Sequence, residues 1–161
     1  MKIRLTLLAF ALAGLAGCAT YPAPLQGGYA QISAHQASTG DHTGLPVRWG
    51  GRIIQVEPGE NRTCFQMLGI ELDATGRPVR SSDRFEGRFL ACRDGFYDPA
   101  IFQAGREVTF TGRIDGYEQR QIGEYDYRLP RMAADVVYLW GVRERVDVIE
   151  RPAPWPWWGW W

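Results

Sequence analysis

The chain has 161 residues, and its 18 basic side chains are balanced by 18 acidic ones, so the formal net charge at pH 7 is zero. Nucleic-acid binding needs clustered lysine or arginine. The sequence has no such block, so we expect no nucleic-acid partner. A hydrophobic share of 45%, with 19 glycines and 10 prolines, is typical of one globular domain of short strands joined by turns.

The first residues are organised as an export signal. Lys2 and Arg4 precede an apolar run from Leu5 to Leu15, and the small pair Ala16–Gly17 follows it. A charged start, a short apolar stretch and a small-residue cleavage site are the parts of a secretory signal peptide. Because the run is shorter than the ~20 residues that cross a bilayer core, we predict that residues 1–17 are removed.

A single cysteine, Cys18, stands directly behind this site. The sequence Leu15-Ala16-Gly17-Cys18 resembles the lipobox of bacterial lipoproteins, in which the cysteine is lipidated and the cut is made before it. The resemblance implies a diacylglyceryl thioether on Cys18, and two or more acyl chains anchor a protein stably. The alternative is a structural cysteine beside a hydrophobic helix. Alanine rather than aspartate follows Cys18, which favours sorting to the outer membrane.

Cleavage leaves a slightly acidic chain. Removing 17 of the 161 residues, and with them Lys2 and Arg4, leaves 144 residues with 16 basic and 18 acidic side chains. Residues 18–44 have no hydrophobic period and are rich in glycine, proline, serine and threonine. We therefore predict a lipidated N-terminal tether at 18–44, with one short helix near residues 30–36.

Strand-like alternation begins after the tether. Residues 47–56 alternate and contain the pair Gly50–Gly51, which indicates a bulge or a sharp bend. The chain then continues as turn, strand, polar loop and strand, at residues 58–61, 63–72, 73–83 and 84–91.

The next signal is a short helical one. Asp98 is a candidate N-cap and Pro99 suits the first helical position, so we predict one helical turn before Gly105. Strand signals resume after it, with a polar hairpin or an extended excursion between two alternating runs, at residues 107–114, 119–128 and 135–140.

These elements predict an all-β fold. No helix is long enough for a parallel crossover, so the sheet should be mainly antiparallel. A first strand bent by glycines, five principal strands and one short helical turn between the third and fourth strands are typical of a small OB-like barrel. We predict this barrel over residues 45–146; a split β-sandwich is the alternative.

The run from Val47 to Trp140, with the lipobox before it, resembles the Slp family of outer-membrane lipoproteins of Gram-negative bacteria. Five phrases carry the resemblance: VRWGGRII at 47–54, FEGRFLA at 85–91, GFYDP at 95–99, GREVT at 105–109 and GRIDG at 112–116. Membership implies a globular, periplasm-facing domain anchored by lipid in the outer membrane and associated with starvation or envelope stress. It implies no known reaction, because the family has no established catalytic residues.

No catalytic or metal-binding pattern stands out in the sequence. His35 and His42 lie in the predicted tether without a cysteine or carboxylate at metal-ligand spacing, and no serine sits in a G-x-S-x-G elbow. Four carboxylates stand beside arginines or turns, as surface ion pairs and caps do: Glu86, Asp94, Asp98 and Glu107. We expect a non-enzymatic protein without metal or cofactor.

Two cysteines remain besides Cys18, in the predicted second and third strands. In an oxidising periplasm such a pair commonly forms a disulfide. We predict a Cys64–Cys92 bridge, provided that the strands bring the two Cα atoms within about 7 Å. The alternative is two separate buried thiols.

The C-terminal tail, residues 147–161, is rich in proline and tryptophan. Its prolines favour an extended course. Five indoles stand close together near its end, at Trp155, Trp157, Trp158, Trp160 and Trp161. Tryptophan is enriched at membrane interfaces, so we predict a membrane or partner contact here; the alternative is that the tail folds back onto the barrel.

Three classes of function remain open. The leading class is a non-enzymatic lipoprotein that supports envelope integrity. The second is a binding module for an envelope oligosaccharide or protein, with Phe89, Phe110 and Tyr117 as candidate contacts, although alternation places the first two in the core. The third, an envelope hydrolase, lacks a catalytic constellation.

Overall fold

The computed structural model describes residues 20–79 and 84–143. Five strands dominate: β1 (Pro46–Pro58), β2 (Arg62–Ile70), β3 (Phe85–Asp94), β4 (Glu107–Ile122) and β5 (Tyr125–Leu139). A 3₁₀ turn at Ala23–Leu25 and the short helix α1 (Ala34–Ser38) precede them. The predicted all-β class is confirmed. The predicted signal peptide, Cys18 and the tail from residue 147 lie outside the described residues.

The strands form one closed barrel in the order β1-β2-β3-β5-β4. Every pairing is antiparallel except that of β3 with β5, where residues 90–92 run parallel to residues 131–133. Closure removes the unpaired edges that an open sheet would present. The expectation of a mainly antiparallel sheet is confirmed.

Strand β1 bends and pairs with two partners. Residues 46–52 pair with β4, whereas residues 51–58 pair with β2, so Gly51 lies opposite Gly69 and also opposite Val108. A Cβ atom on Gly51 would collide with the carbonyl oxygen of Leu68. Of the two alternatives predicted at Gly50–Gly51, a bulge or a sharp bend, the structure has the bend, since the register shift lies after Ile53 and the strand changes partners at Gly51. The glycine is needed because β2 approaches closely.

Aromatic side chains fill the barrel. Phe65, Phe89 and Phe110 are fully buried, and the ring centroid of Phe110 lies 5.3 Å from that of Phe65 and 6.2 Å from that of Phe89. Trp49 packs on Phe89 with 5.2 Å between centroids. Burying each such side chain contributes about 2–3 kcal/mol. The interior is therefore a packed core.

The segment predicted as a tether packs against the barrel through several of its apolar side chains. Leu25, Ala34 and Ala37 are buried. Ser33 caps α1 by accepting a hydrogen bond from the Gln36 backbone N–H at 3.1 Å, while the Gln36 side chain accepts one from the Ser33 N–H at 2.9 Å. Small alanines carry little hydrophobic signal in a sequence, which is why the docked helix was expected only as an element of a tether.

The connection between β3 and β4 contains a hydrogen-bonded turn. The carbonyl of Asp98 accepts from the N–H groups of Ile101 and Phe102, each at 3.0 Å, and the Asp98 carboxylate accepts from the Ala100 N–H at 2.8 Å. The ring of Phe102 packs on Phe65, with centroids 5.4 Å apart. This turn covers one end of the barrel core.

Strands β4 and β5 continue together into a hairpin. Gln119 pairs with Arg128, and the turn contains Gly123 with φ of +64°, a conformation that favours glycine. The polar hairpin predicted at 119–128 is confirmed. Within the described residues, no helix is long and apolar enough to cross a bilayer.

Cys64 and Cys92 face each other on β2 and β3. They are direct partners in the strand register, and their sulfurs are joined at 2.07 Å with the Cα atoms 4.0 Å apart. The bridge ties together two strands that are separated by the polar loop at residues 73–83.

Candidate functional site: an arginine cleft

The residues singled out from sequence do not converge on one site. Cys18 and the five tail tryptophans lie outside the described residues. Phe89 and Phe110 are core residues. The Tyr117 hydroxyl accepts a hydrogen bond from the His42 N–H at 2.6 Å, and the Arg128 guanidinium lies 3.4 Å above the Tyr117 ring. These three aromatics therefore build the domain rather than an open binding face.

A cleft of about 390 Å³ lies where β1 meets the start of β4. Four arginines, one glutamate and one tryptophan supply its main side chains: Arg52, Arg77, Arg106, Arg143, Glu107 and Trp140. We call it the arginine cleft. Its remaining lining residues are two glycines and Val142 and so add no charge. Among the described lining residues, four guanidinium groups against one carboxylate give a formal charge of +3.

Strand pairing and loops bring the arginines together. Arg52 on β1 is the register partner of Glu107, and Arg106 directly precedes β4. Arg77 comes from the loop after β2, and Arg143 follows β5. Because these positions are widely spaced along the chain, no local sequence pattern reveals them.

Glu107 orders two of the arginines. Its Oε2 atom accepts from Arg77 Nε at 2.7 Å and from Arg143 Nε at 3.1 Å. The Glu107 side chain is only 14% exposed. The sequence predicts a surface ion pair or a cap for Glu107, but the structure shows a largely buried acceptor shared by two cations.

Trp140 forms one wall of the arginine cleft. Its indole N–H donates to Thr109 Oγ1 at 2.9 Å, and the Arg77 guanidinium lies 5.5 Å from the centre of its ring. A ring held by a hydrogen bond and faced by a guanidinium gives the cleft an apolar side with cation–π contact.

A second, acidic groove of about 280 Å³ lies beside α1. It contains Glu71 and Glu86 together with Arg48 and Trp49. Burial raises the pKa of the Glu86 carboxyl above its ordinary value, and the negative charge of Glu71 acts in the same direction. Arg48 stacks 3.7 Å from the centre of the Tyr21 ring. The groove thus holds two neighbouring carboxylates, while Arg48 is engaged with the N-terminal segment.

A third groove of about 250 Å³ lies between α1 and the β4–β5 hairpin. Tyr125 is 68% exposed, and its ring centre lies 6.2 Å from that of Tyr127. His35 and Arg128 complete the groove with smaller polar residues. An exposed tyrosine beside a second ring and polar groups suits sugar rings or peptide side chains.

Several charged groups outside these grooves form ion pairs. Arg120 bridges Glu57 and Glu118, at 2.6 Å and 2.7 Å, and its hydrogen bond lowers the pKa of Glu57. In the part of the chain that the structure describes, no three histidines, cysteines or carboxylates are grouped so that they could hold a metal ion. Asp98 is a turn cap, as its sequence neighbourhood predicted.

Comparison with known proteins gives the family. The profile of the outer membrane lipoprotein Slp family matches residues 15–161. Outer membrane protein Slp of Escherichia coli (strain K12) is 27% identical over 139 residues, which cover 83% of this chain and 72% of that protein. The uncharacterized lipoprotein YeaY of the same organism is 28% identical over 150 residues, covering 88% of this chain and 75% of that protein.

A third relative comes from another organism. An uncharacterized protein of Haemophilus influenzae (strain ATCC 51907 / DSM 11121 / KW20 / Rd) is 28% identical over 154 residues, covering 91% of this chain and 82% of that protein. No solved structure is significantly similar. Because the family profile covers nearly all of the sequence, the resemblance noted in the sequence is confirmed. The chain belongs to the Slp family of outer membrane lipoproteins.

Proposed function

We propose that the protein is a lipid-anchored, periplasm-facing lipoprotein that supports envelope integrity, or the response to stress and starvation, without catalysing a reaction. The observation that carries this proposal is the packed barrel: three fully buried phenylalanines occupy its interior. A filled, closed barrel offers no lumen for a substrate, so the protein acts through its outer surface and its anchor.

The anchor is part of the proposal. Lipid on Cys18 would hold the barrel at the outer membrane, with residues 1–17 removed during export. The bent β1, the five strands and the turn at Asp98 support an OB-like description of the barrel. In such a protein the surface of the domain makes the contacts with other envelope components, while the lipid holds the domain at the outer membrane.

Deletion and complementation test this role. We expect a strain lacking the gene to admit large antibiotics and detergents more readily, above all in stationary phase, and the wild-type chain to restore the barrier. Cys18→Ser should fail to restore it, because a hydroxyl cannot carry the thioether lipid. Membrane fractions washed at high salt report the anchor itself. An unchanged barrier in the deletion strain under starvation and acid stress would contradict the role.

The alternative is a binding module for an envelope oligosaccharide or protein. The groove beside Tyr125 favours it, because this exposed tyrosine stands next to a second ring and several polar groups. Tyr125→Ala should abolish retention on immobilised envelope glycan while leaving the barrel folded. Ile101→Ala, which removes another exposed apolar side chain away from this groove, is the matched control. Equal retention of both variants would exclude the groove.

A further inference from the structure

We propose that the arginine cleft binds a phosphate group, presented either by a lipid headgroup or by a free phosphate compound. The site goes beyond the envelope role proposed above and does not depend on it. Its chemistry is that of guanidinium groups around a polar cleft, which suits the planar, bidentate recognition of phosphate oxygens.

Charge is the first argument. The described residues that line the arginine cleft carry a formal charge of +3, whereas the whole chain has 18 basic and 18 acidic side chains. A concentration of positive charge on a neutral protein attracts anions to that place and not to the surface in general. Glu107, the carboxylate among the described residues that line the cleft, is shared by Arg77 and Arg143.

Backbone carbonyls also hold the arginines in place. Arg77 Nη2 donates to the carbonyl of Gly141 at 2.6 Å, and Arg143 Nη2 donates to that of Pro78 at 2.7 Å. Each guanidinium has several N–H donors, so these bonds and those to Glu107 use only part of its capacity. The arginines have therefore lost side-chain entropy before a ligand binds, which lowers the entropic cost of binding.

Arg106 extends this arrangement along the rim. Its Nη2 donates to the carbonyl of Trp140 at 3.1 Å and its Nη1 to that of Ile101 at 3.3 Å. Because it is tied to the loop before β4 and to the end of β5, its charge stays at the mouth of the cleft.

The surroundings of the cleft suit a membrane surface. Ile101 and Val142 beside it are 53% and 75% exposed. Exposed apolar side chains at the rim of a cationic cleft suit the boundary between charged lipid headgroups and acyl chains.

The test uses the full mature lipoprotein in a non-ionic detergent. Inorganic phosphate is titrated at constant ionic strength by calorimetry, and phosphatidylglycerol is then added to the micelles, with diacylglycerol as the phosphate-free control. We expect both phosphate probes to bind. The double substitution Arg52→Gln with Arg106→Gln should weaken binding at least about tenfold. These two positions leave the Glu107 pairs intact.

A matched double variant, Arg84→Gln with Arg113→Gln, removes the same charge at exposed positions outside the cleft and should bind within about twofold of wild type. Unfolding curves establish that each variant is folded. NMR of the wild-type protein provides a readout that needs no substitution: phosphate should shift the arginine Nε–H signals that a spectrum of the Arg52→Gln variant assigns to the cleft.

The two probes also distinguish the source of the phosphate. At least about tenfold tighter binding of phosphatidylglycerol than of inorganic phosphate identifies a lipid headgroup, whereas equal binding identifies a free phosphate compound. Binding of neither probe, or equal loss in both double variants, would overturn the proposal and leave the cleft as an internal ion-pair network.

Discussion

Arg77 donates to Glu107 at 2.7 Å, although 30 residues separate them in the chain. The contact fastens the loop after β2 to the first residue of β4. Glu107 accepts from Arg143 as well, so one largely buried carboxylate holds together a loop, a strand start and the segment after β5.

Replacing Glu107 with glutamine should destabilise the fold. The change leaves Arg77 and Arg143 close together without a counter-charge, and lost hydrogen bonds to charged groups cost about 1.5–3 kcal/mol. Urea unfolding measures the difference. Glu118→Gln is the control, because Glu118 also pairs with an arginine but is 38% exposed, and exposed pairs contribute about 0–1 kcal/mol. Equal losses in the two variants would contradict a special role for Glu107.

Gly51→Val should prevent the barrel from closing. The added side chain would collide with the backbone of Leu68, and a backbone atom of a paired strand cannot move aside cheaply. We expect a loss of at least about 3 kcal/mol or failure to fold. Gly28→Ala is the control, since its added Cβ meets nothing within 4 Å. A melting temperature equal to that of wild type would show that β1 and β2 lie further apart.

The predicted disulfide is tested by counting thiols. A chain whose Cys18 carries the proposed lipid, unfolded without reductant, should show no free thiol, because Cys64 is bonded to Cys92. A count of two free thiols per chain would show that the disulfide is absent. Substituting both cysteines of the pair with serine should lower the free energy of unfolding by about 3–4 kcal/mol, as expected for opening a loop of this length.

The strands can be predicted from the sequence because residues that face the core alternate with residues that face solvent. The start of β4 was predicted at residue 107, where it lies. Strand β5 begins earlier than predicted, at Tyr125. Its first half was not predicted as a strand because it contains Pro130 and several polar residues. Pro130 lies opposite Tyr117 of β4, so the long pairing partner, rather than the local sequence, determines this part of the strand.

The arginine cleft cannot be predicted from the sequence. Barrel closure places Arg52 beside the start of β4, and Arg77 reaches the same place from a loop that looks polar and featureless in sequence. A list of arginines gives no indication of which ones share a surface. The docked N-terminal segment was missed for a related reason: Leu25 stands alone among glycines and prolines, without a period that would predict its burial.

The Glu57–Arg120 pair predicts a loss of stability in acid. The hydrogen bond from Arg120 lowers the pKa of Glu57 below its ordinary value of 4.5. A carboxyl whose pKa is lower in the folded chain contributes stability above its unfolded value, and this contribution disappears as the pH falls through the folded value. Stability should therefore decline below pH 4.5, and Arg120→Gln should make the decline shallower. Arg113→Gln is the control; identical pH curves for the two variants would exclude the pair as a cause.

The tryptophan tail is predicted to contact a membrane interface. The test compares the mature chain carrying Cys18→Ser, which has no lipid, with the same chain lacking residues 155–161. The parent should bind vesicles of phosphatidylethanolamine and phosphatidylglycerol with a blue shift in tryptophan emission, because burying indoles at the headgroup level is favourable. The truncated chain should lose the shift. A full-length variant with the five tryptophans replaced by serine distinguishes the effect of losing the indole rings from the effect of shortening the chain.

The salt dependence of vesicle binding distinguishes membrane contact through the tail from membrane contact through the arginine cleft. Arg143, which lines the cleft, is followed by the segment that leads to the tail, so both could hold the same vesicle. Charge attraction by the arginines weakens in high salt, because screening shortens its range to about 3 Å at 1 M, whereas burial of the indoles does not weaken. In high salt, vesicle binding should therefore persist for the parent and vanish for the truncated chain. If the parent does not bind and truncation instead lowers stability by about 3 kcal/mol or more, the indoles pack on the protein and the membrane contact belongs to the lipid and the cleft.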